Sequence, residues 1–573
     1  MAPRALAATK HRPGRRPTVA VFGGGIAGLT ATHELAERGF DVTIYERRAW
    51  GGKARSTEVR GTATGDRRPL PGEHAYRVPF GCYQNLPDTM RRIPFGSNPN
   101  GTFDNLVAMR QILLARVDKR DLLLPLASLD PRPHTPQQIV DLLVGLLIEM
   151  QLPPQAAVHL ANRLAVFFSS CDARRFGEWE KTSWTDFVGG NGYGEDFRAT
   201  LAALPQFTQA SRADQSSAKY VAWLFESWWI YPLLGFGTNG PPWRVLDRPT
   251  NEVLIDPWLA ELRRLGARLR LHHELTGLDM RHGRIAGAHV RTPHGRRTVV
   301  ADWYVTALPV ERARKLWNPK ILAADPRLEQ MNRLGTAWMN GIMLYLRERP
   351  RILEGIVACA DSPWAMTFIP QAQFWPLDFA RTYGDGTVKE KLSVAIADWT
   401  RPGIVVGKPA RDCTPEEIAL EVWEEIKRHV NNSSGSPTLT DAMLHSWNID
   451  PGLIRRHGRW ISEDALVLPT IGTEQYRPDV KTAIPNLMLC GDYCNGDWQV
   501  ANMEAANFNG RRAANAVLER AASHETPART VESYSPPEWE PLKQLDDQRY
   551  AHGQPNVFDL PTIPQQLASL LNQ

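Results

Sequence analysis

The sequence predicts an α/β fold in which a Rossmann-type dinucleotide-binding domain is joined to a second lobe of helices plus mixed β-sheet. Three observations carry this. Residues 17–46 read as strand, glycine-rich turn, helix and strand. The 573 residues are several times what one hydrophobic core accommodates. The middle of the chain moves from helical periodicity to short alternating runs, and a second buried-strand stretch begins near Asn486. Hydrophobic residues at 43% and charged residues at 23% exclude a disordered, collagen-like or coiled-coil chain.

The elements follow in order. Val19–Phe22 is short, continuous and β-branched, as a strand buried on both faces should be, and the pattern predicts a helix over 27–38, stopped at Gly39, before a strand over 41–45 that ends at Glu46. From Met109 to Tyr231 the pattern is mostly helical, with apolar periodicity over 138–152, 156–168 and 217–229. A mixed segment then predicts a helix over 256–265, a strand over 268–272 and a hairpin-rich sheet edge over 284–290 and 297–305. Strands recur over 341–346 and 391–397, with a helix over 415–430, a strand over 486–489 and a helix over 502–521. Beyond Ser523 the chain turns polar and Pro-rich, which predicts an extended arm that is packed over the surface or partly disordered.

The formal charge of +5 resolves into a leader: Arg4, Lys10, Arg12, Arg15 and Arg16 precede Thr18 with no acid among them, so the remainder is formally neutral. A nucleic-acid binder carries its basic patch on the folded part, so nucleic acid is excluded as a partner. The leader lacks the apolar stretch of a secretory signal and is expected to be a disordered tail on a cytoplasmic protein. The longest apolar run, Ile139–Met150, is interrupted by Asp141 and Glu149 and falls short of the about 20 residues a spanning helix needs. No transmembrane segment is expected. The six cysteines form no CxxC pair and no Cys/His cluster at zinc spacing, so no metal is expected.

Gly23-x-Gly25-x-x-Gly28 follows a strand and opens a helix, and Glu46 lies at the end of the next strand. Helix amides can hold a pyrophosphate there while the carboxylate takes ribose hydroxyls. Gly235, Gly237 and Gly240 satisfy the same string, but Pro241-Pro242 follows, so that match reads as a tight loop. After Glu46 and Arg47 come Gly51-Gly52-Lys53-Ala54-Arg55-Ser56. This stretch resembles the flavin fingerprint of the flavin-containing amine oxidase superfamily, which includes phytoene desaturases. The resemblance implies non-covalent FAD, with Lys53 and Arg55 as cations near phosphate. It continues in Leu487-Met-Leu-Cys-Gly491-Asp492 and in Asn502-Met503-Glu504-Ala505-Ala506, where a strand turn and a helix start face the flavin, and in the middle segment that begins Glu274-Leu275. The cofactor residues it implies are Gly23, Gly25, Ala27, Gly28, Glu46, Arg47, Gly51, Gly52, Lys53, Ala54, Arg55, Leu275, Gly491, Asp492, Asn502, Met503 and Ala506.

Asn502 stands where amine oxidases usually place an aromatic that helps cage an amine. Gly72-Glu73-His74-Ala75-Tyr76 and Tyr83-x-Asn85-Leu86 instead resemble the phytoene desaturase-like branch. That branch implies hydride transfer between flavin N5 and a large apolar polyene, isoprenoid or polyketide-derived substrate, by desaturation or by redox-triggered cyclisation as in polycyclic tetramate macrolactam biosynthesis. A flavin amine oxidase and a non-catalytic flavin-stabilised binding protein are the rival expectations. NADPH, if it supplies electrons, is expected to visit transiently. The 19 tryptophans of the chain include a cluster with Trp223, Phe225, Trp228, Trp229, Tyr231 and Phe236, which reads either as a tunnel wall or as ordinary core, with peripheral membrane contact a third use.

Loops next to the flavin motifs offer His74, Tyr76, Asp497 and Trp498 as substrate-side candidates. His74 reads equally as a proton-transfer group or a structural hydrogen bonder, and Asp497 as a turn cap. The predicted division is a basic leader over 1–16, FAD-domain parts over 17–95, 246–315 and 481–522, substrate-lobe parts over 96–245 and 316–480, and the C-terminal arm over 523–573.

Overall fold

The computed structural model describes residues 15–128, 135–189, 192–432 and 437–560. Most of the basic leader and the end of the arm, 561–573, lie outside the described residues. A five-stranded parallel sheet holds, in order, Leu487–Leu489, Trp303–Thr306, Thr18–Phe22, Asp41–Glu46 and Arg268–Leu271. Its strands come from three distant stretches of chain. The β-branched first strand sits at the centre and is buried along almost its whole length. Helix Ile26–Glu37 packs against helix Met503–Arg520, and the approach is close because Gly510 has no side chain: a Cβ there would lie 2.7 Å from the Ala27 carbonyl.

The predicted sheet edge over 297–305 divides in two. Gly295–Val299 pairs antiparallel with Arg284–Thr292, which pairs with Glu274–Arg281, whereas Trp303–Thr306 joins the parallel sheet. Asp302 decides this, because its carboxylate accepts both the amide and the hydroxyl of Thr18 at 2.8 Å and locks the strand beside the first one.

The second lobe is built on a seven-stranded sheet ordered Leu444–Ile449, Asn340–Leu346, Glu390–Ile396, Met366–Pro370, Gly355–Cys359, Gln111–Ala115 and Leu122–Pro125. The last two strands correct the expectation of helix from Met109. A five-residue apolar run is ambiguous by periodicity alone, and pairing with Gly355–Cys359 settles it. Gly355 permits that pairing, since a Cβ would fall 1.7 Å from the Gln111 carbonyl oxygen. Helix Pro415–Asn431 covers one face of the sheet and starts with a reciprocal cap between Thr414 and Glu417. The helical part includes Pro136–Glu149, Pro154–Ser169, Glu195–Gln209 and Ala218–Leu224. The last of these widens into a π-helical turn over Phe225–Ile230, where the Trp243 indole donates to the Trp228 carbonyl at 2.9 Å.

The C-terminal arm is stitched down rather than loose. Asn85 and Val531 exchange two hydrogen bonds of 2.8 Å, Arg511 donates to the Arg529 carbonyl, and helix Glu540–Ala551 packs on the helical lobe. Beneath it the buried Glu504 carboxylate accepts the amides of Gln84, Asn85 and Leu86 and so caps helix Asn85–Arg91.

Glu390 gives the fold a pH dependence. It is fully buried and accepts the Ala372 and Lys391 amides at 2.7 and 2.9 Å, yet burial pushes its carboxyl up to about 7 from an ordinary 4.5. The folded chain holds this proton where the unfolded chain has lost it, so the stability contributed by this group is complete below pH 4.5 and is lost as pH rises through 7. Glu390→Gln is expected to flatten the fall in unfolding free energy over that window, as read from denaturant titrations at several pH values.

Candidate active site

Two glycine-rich turns interlock at the C-terminal edge of the parallel sheet. The Gly51 amide donates to the Gly24 carbonyl at 2.8 Å, and Gly51 and Gly52 hold φ of 93° and 55°. A Cβ on Gly52 would stand 2.9 Å from the Gly25 Cα and one on Gly23 2.3 Å from the Ala307 carbonyl oxygen, so neither position tolerates a side chain. Helix Ile26–Glu37 starts at Gly25 with no side chain capping its first amides, and these residues border a cavity of about 610 Å³. An uncapped buried helix start is a site for anionic oxygen. At the end of the second strand the Glu46 carboxylate is fixed by the Gly24 amide at 2.7 Å and the Arg48 amide at 2.6 Å.

The cavity wall brings together Gly23, Gly25, Ala27, Glu46, Arg47, Gly51, Gly52, Lys53, Ala54, Arg55, Leu275, Gly491, Asp492, Asn502, Met503 and Ala506 from three stretches of sequence. Gly28 stands behind the wall, where a Cβ would lie 1.9 Å from the Gly23 carbonyl oxygen; it lets the helix close onto the turn.

The two expected phosphate cations are already engaged. Lys53 donates to Asp492 at 2.7 Å, and the buried Arg55 donates to Asp464 at 2.9 Å and to the Gly52 carbonyl at 2.7 Å. Arg55 therefore braces the turn from behind. Arg48 reaches Asp464 at 2.6 Å, and Arg47, Arg48 and Arg312 converge on Glu463. Burial raises the Asp464 carboxyl, but the charges of Arg55 and Arg48 outweigh it and hold the group well below the usual carboxylate range. His74, Asp450 and Asp464 lie close enough to share a metal ion. Arginines and amides already occupy the two carboxylates, so the group works as a charge network.

On the other side of the cavity the wall turns apolar. Trp228 stacks on Phe80 at 4.1 Å between ring centres, Trp229 meets Trp243 edge-on at 4.6 Å, and Phe207, Ile112, Leu114 and Ile356 complete the surface. The aromatic cluster thus divides: Trp228 and Trp229 line the cavity, while Tyr231 is buried against Glu226 and Phe236 stacks on Tyr534 of the arm. Tyr76 lines the cavity with its hydroxyl bonded to Thr367, and burial pushes that hydroxyl well above its ordinary range, so it stays neutral.

His74 also lines the cavity, with Nδ1 2.7 Å from Asp450. Two further candidates lie elsewhere. Asp497 accepts the Ser533 amide, and the Trp498 indole is fully buried and donates to the Val531 carbonyl, so this pair anchors the C-terminal arm and does not border the cavity. Sequence reasoning missed Asp450, Asn340, Glu463 and Asp464, which carry no motif. Ile112/Leu114 and Ile356/Ala358 had a readable signal, since residues two apart on a strand share a face.

Comparison with known proteins decides the family. The chain matches the family described as flavin containing amine oxidoreductase over residues 187–518. It belongs to that family. Residues 21–91 match the NAD(P)-binding Rossmann-like domain. Among curated relatives, the carotenoid phi-ring synthase of Streptomyces griseus is 29% identical over 88% of this chain and 89% of its own length. The zeta-carotene desaturase of Synechocystis sp. is 22% identical over 89% of this chain and 98% of its own. Among solved structures, cyclohexylamine oxidase from Brevibacterium oxydans IH-35A aligns at a TM-score of 0.58 and 13% identity over 89% of this chain and all of its own, a likeness of fold.

A flavin containing amine oxidoreductase of this kind is an FAD-dependent oxidoreductase, and the cradle fits the cofactor. The uncapped helix start, the fixed Glu46 carboxylate and Asn502, whose Oδ1 caps the Ala505 amide at 2.7 Å while its Nδ2 is buried without a partner, offer matched groups to a flavin dinucleotide. When bound, FAD supplies two-electron hydride chemistry. The chain's own residues would fix its position: the helix start, Glu46 and Asn502. Glu46→Ala removes a charged acceptor worth about 1.5–3 kcal/mol, so FAD affinity is expected to fall at least about tenfold, measured as flavin bound per folded chain.

Proposed function

We propose that this protein moves hydride between the flavin and a large apolar polyene of isoprenoid or polyketide origin, by dehydrogenation to a new double bond or by redox-triggered ring closure. One observation carries this reading: the flavin cradle and a wall of Trp228, Trp229, Phe80 and aliphatic side chains border the same cavity. An extended apolar chain gains most from such a wall, because every buried methylene adds about 0.8 kcal/mol of transfer free energy. The names of the relatives, a carotenoid phi-ring synthase and zeta-carotene desaturases, support the substrate class.

His74 and Tyr76 are the substrate-side groups in this reading, and the cavity-lining residues from Gly23 to Ala506 are the cofactor side. Dehydrogenation needs no nicotinamide; NADPH is the candidate transient donor for the reductive, ring-closing variant. The protein is read as cytoplasmic and takes its substrate from a membrane or carrier. Among the described residues no helix is long and apolar enough to cross a membrane. An amine oxidase activity is disfavoured by Asn502, which lacks the aromatic face that would cage an ammonium group.

Incubating the FAD-loaded protein in air with a panel of carotenes and primary amines tests the proposal. The expected product is a polyene lighter by two hydrogens, with no ammonia. Ammonia and peroxide release from an amine, with every polyene returned unchanged, would replace this reading by the amine oxidase. Trp228→Ala is expected to raise the polyene KM about tenfold or more while leaving flavin content intact, in line with the loss of a large buried aromatic contact.

A further inference from the structure

Desaturation removes two hydrogens by different routes, one with the electron pair and one as a proton, so the proton needs an acceptor inside a water-poor cavity. Within the proposed oxidation, which this inference takes as its basis, we infer that His74 is that acceptor and that Asp450 and Asn340 are positioning residues that fix its ring and tautomer. His74 follows strand Leu70–Glu73 and is nearly buried, at 4% exposure, while still lining the cavity. Its Nδ1 lies 2.7 Å from Asp450 Oδ2 and 3.2 Å from the Asn340 side-chain nitrogen, which itself donates to that Asp450 oxygen. The other Asp450 oxygen accepts the Gly452 amide at 2.9 Å.

Asp450 is wholly enclosed. Burial raises its carboxyl, but the hydrogen bond from His74, the Gly452 amide and the Arg55 charge oppose this and hold it below the ordinary value. An ionised carboxylate only accepts hydrogen bonds, so Nδ1 carries the proton of the neutral ring and Nε2 is left with its lone pair. Among the described residues Nε2 has no hydrogen-bond partner. The ring is held at Nδ1, and His74 lines the cavity. A carboxylate that orients a histidine and supports its charged form is the established logic of a general base. The charged groups around the ring are Asp450 and Asp464 on one side and Arg55, Arg77 and Arg48 beyond them.

The step balances as follows. One substrate C–H bond breaks and its hydrogen leaves with the electron pair, which oxidised flavin accepts. The C–H bond on the neighbouring carbon breaks toward His74 Nε2, and its electrons form the new carbon–carbon π bond. The substrate is oxidised by two electrons and the flavin is reduced by two, and His74 ends as an imidazolium beside Asp450.

Two readouts test this. In the protein without substrate, ¹⁵N-histidine spectra at pH above the ring's titration should show Nδ1 protonated and Nε2 unprotonated, and Asp450→Asn should mix the two tautomers. In anaerobic stopped-flow reduction by a polyene, His74→Gln should slow flavin bleaching about 100-fold or more, with the acidic limb of the pH profile lost and flavin content unchanged. Asp450→Asn should move that limb to lower pH, because the ring loses its anionic support. Imidazole added to His74→Ala should restore part of the rate. Nε2 protonated in the resting protein, or His74→Gln reducing flavin at the wild-type rate with an unaltered pH profile, would overturn the assignment while leaving polyene oxidation standing. Wild-type protein that no polyene reduces would instead remove the proposed function, and the tautomer spectra would still decide whether His74 is poised as a base.

Discussion

The buried ion pair between Arg55 and Asp464 is the contact on which the rest of the site depends. Arg55 closes the second glycine turn of the flavin domain, at 3% exposure, and Asp464 follows the hairpin of strands Leu453–Arg456 and Arg459–Ser462 in the other lobe. Removing Asp464 leaves the buried Arg55 guanidinium without its carboxylate, at a cost of about 3–5 kcal/mol. The pair does more than hold the lobes together. Asp464 also receives Arg48, which follows Glu46, so the ribose-side carboxylate and the glycine turn are braced by one acid. Gly452 packs between Asp450 and Asp464, where a Cβ would lie 2.4 Å from one carboxylate oxygen and 3.0 Å from the other, so the acid behind His74 is set by the same construction. Cofactor cradle and substrate-side histidine are two ends of one buried charge network.

The parallel sheet was legible because its chemistry is local. A β-branched run, three glycines and an acid at the next strand end are required by the geometry of one turn, and the central strand is buried as that run predicts. What could not be read was assembly at long range. Gln111–Ala115 looks helical until Gly355–Cys359 lies beside it, and Trp303–Thr306 looks like the end of a hairpin until Asp302 binds Thr18. Asp497 and Trp498 sit next to a flavin motif in sequence, yet both hydrogen-bond to the arm. Adjacency along the chain says little about which way a loop side chain faces. Asp450 and Asn340 were invisible for the same reason, since their partner is 376 and 266 residues away.

The division of labour across the cavity follows from solvation. On one side charged and amide groups are held in fixed geometry to receive a phosphate-bearing cofactor. On the other, two tryptophans on a π-helical turn and alternate residues of two strands present an apolar wall. The π turn spares one carbonyl from the helical ladder, and the Trp243 indole takes it up, which fixes the turn that carries Trp228 and Trp229. Between these sides stands one histidine with a tethered nitrogen and a free one.

The most direct test of this account is an anaerobic titration of the FAD-loaded protein with a conjugated polyene, followed by the flavin band near 450 nm. The account predicts one flavin per chain and bleaching by polyene, with no response to primary amines. A chain that takes up no FAD, or a flavin that only amines reduce, would contradict it.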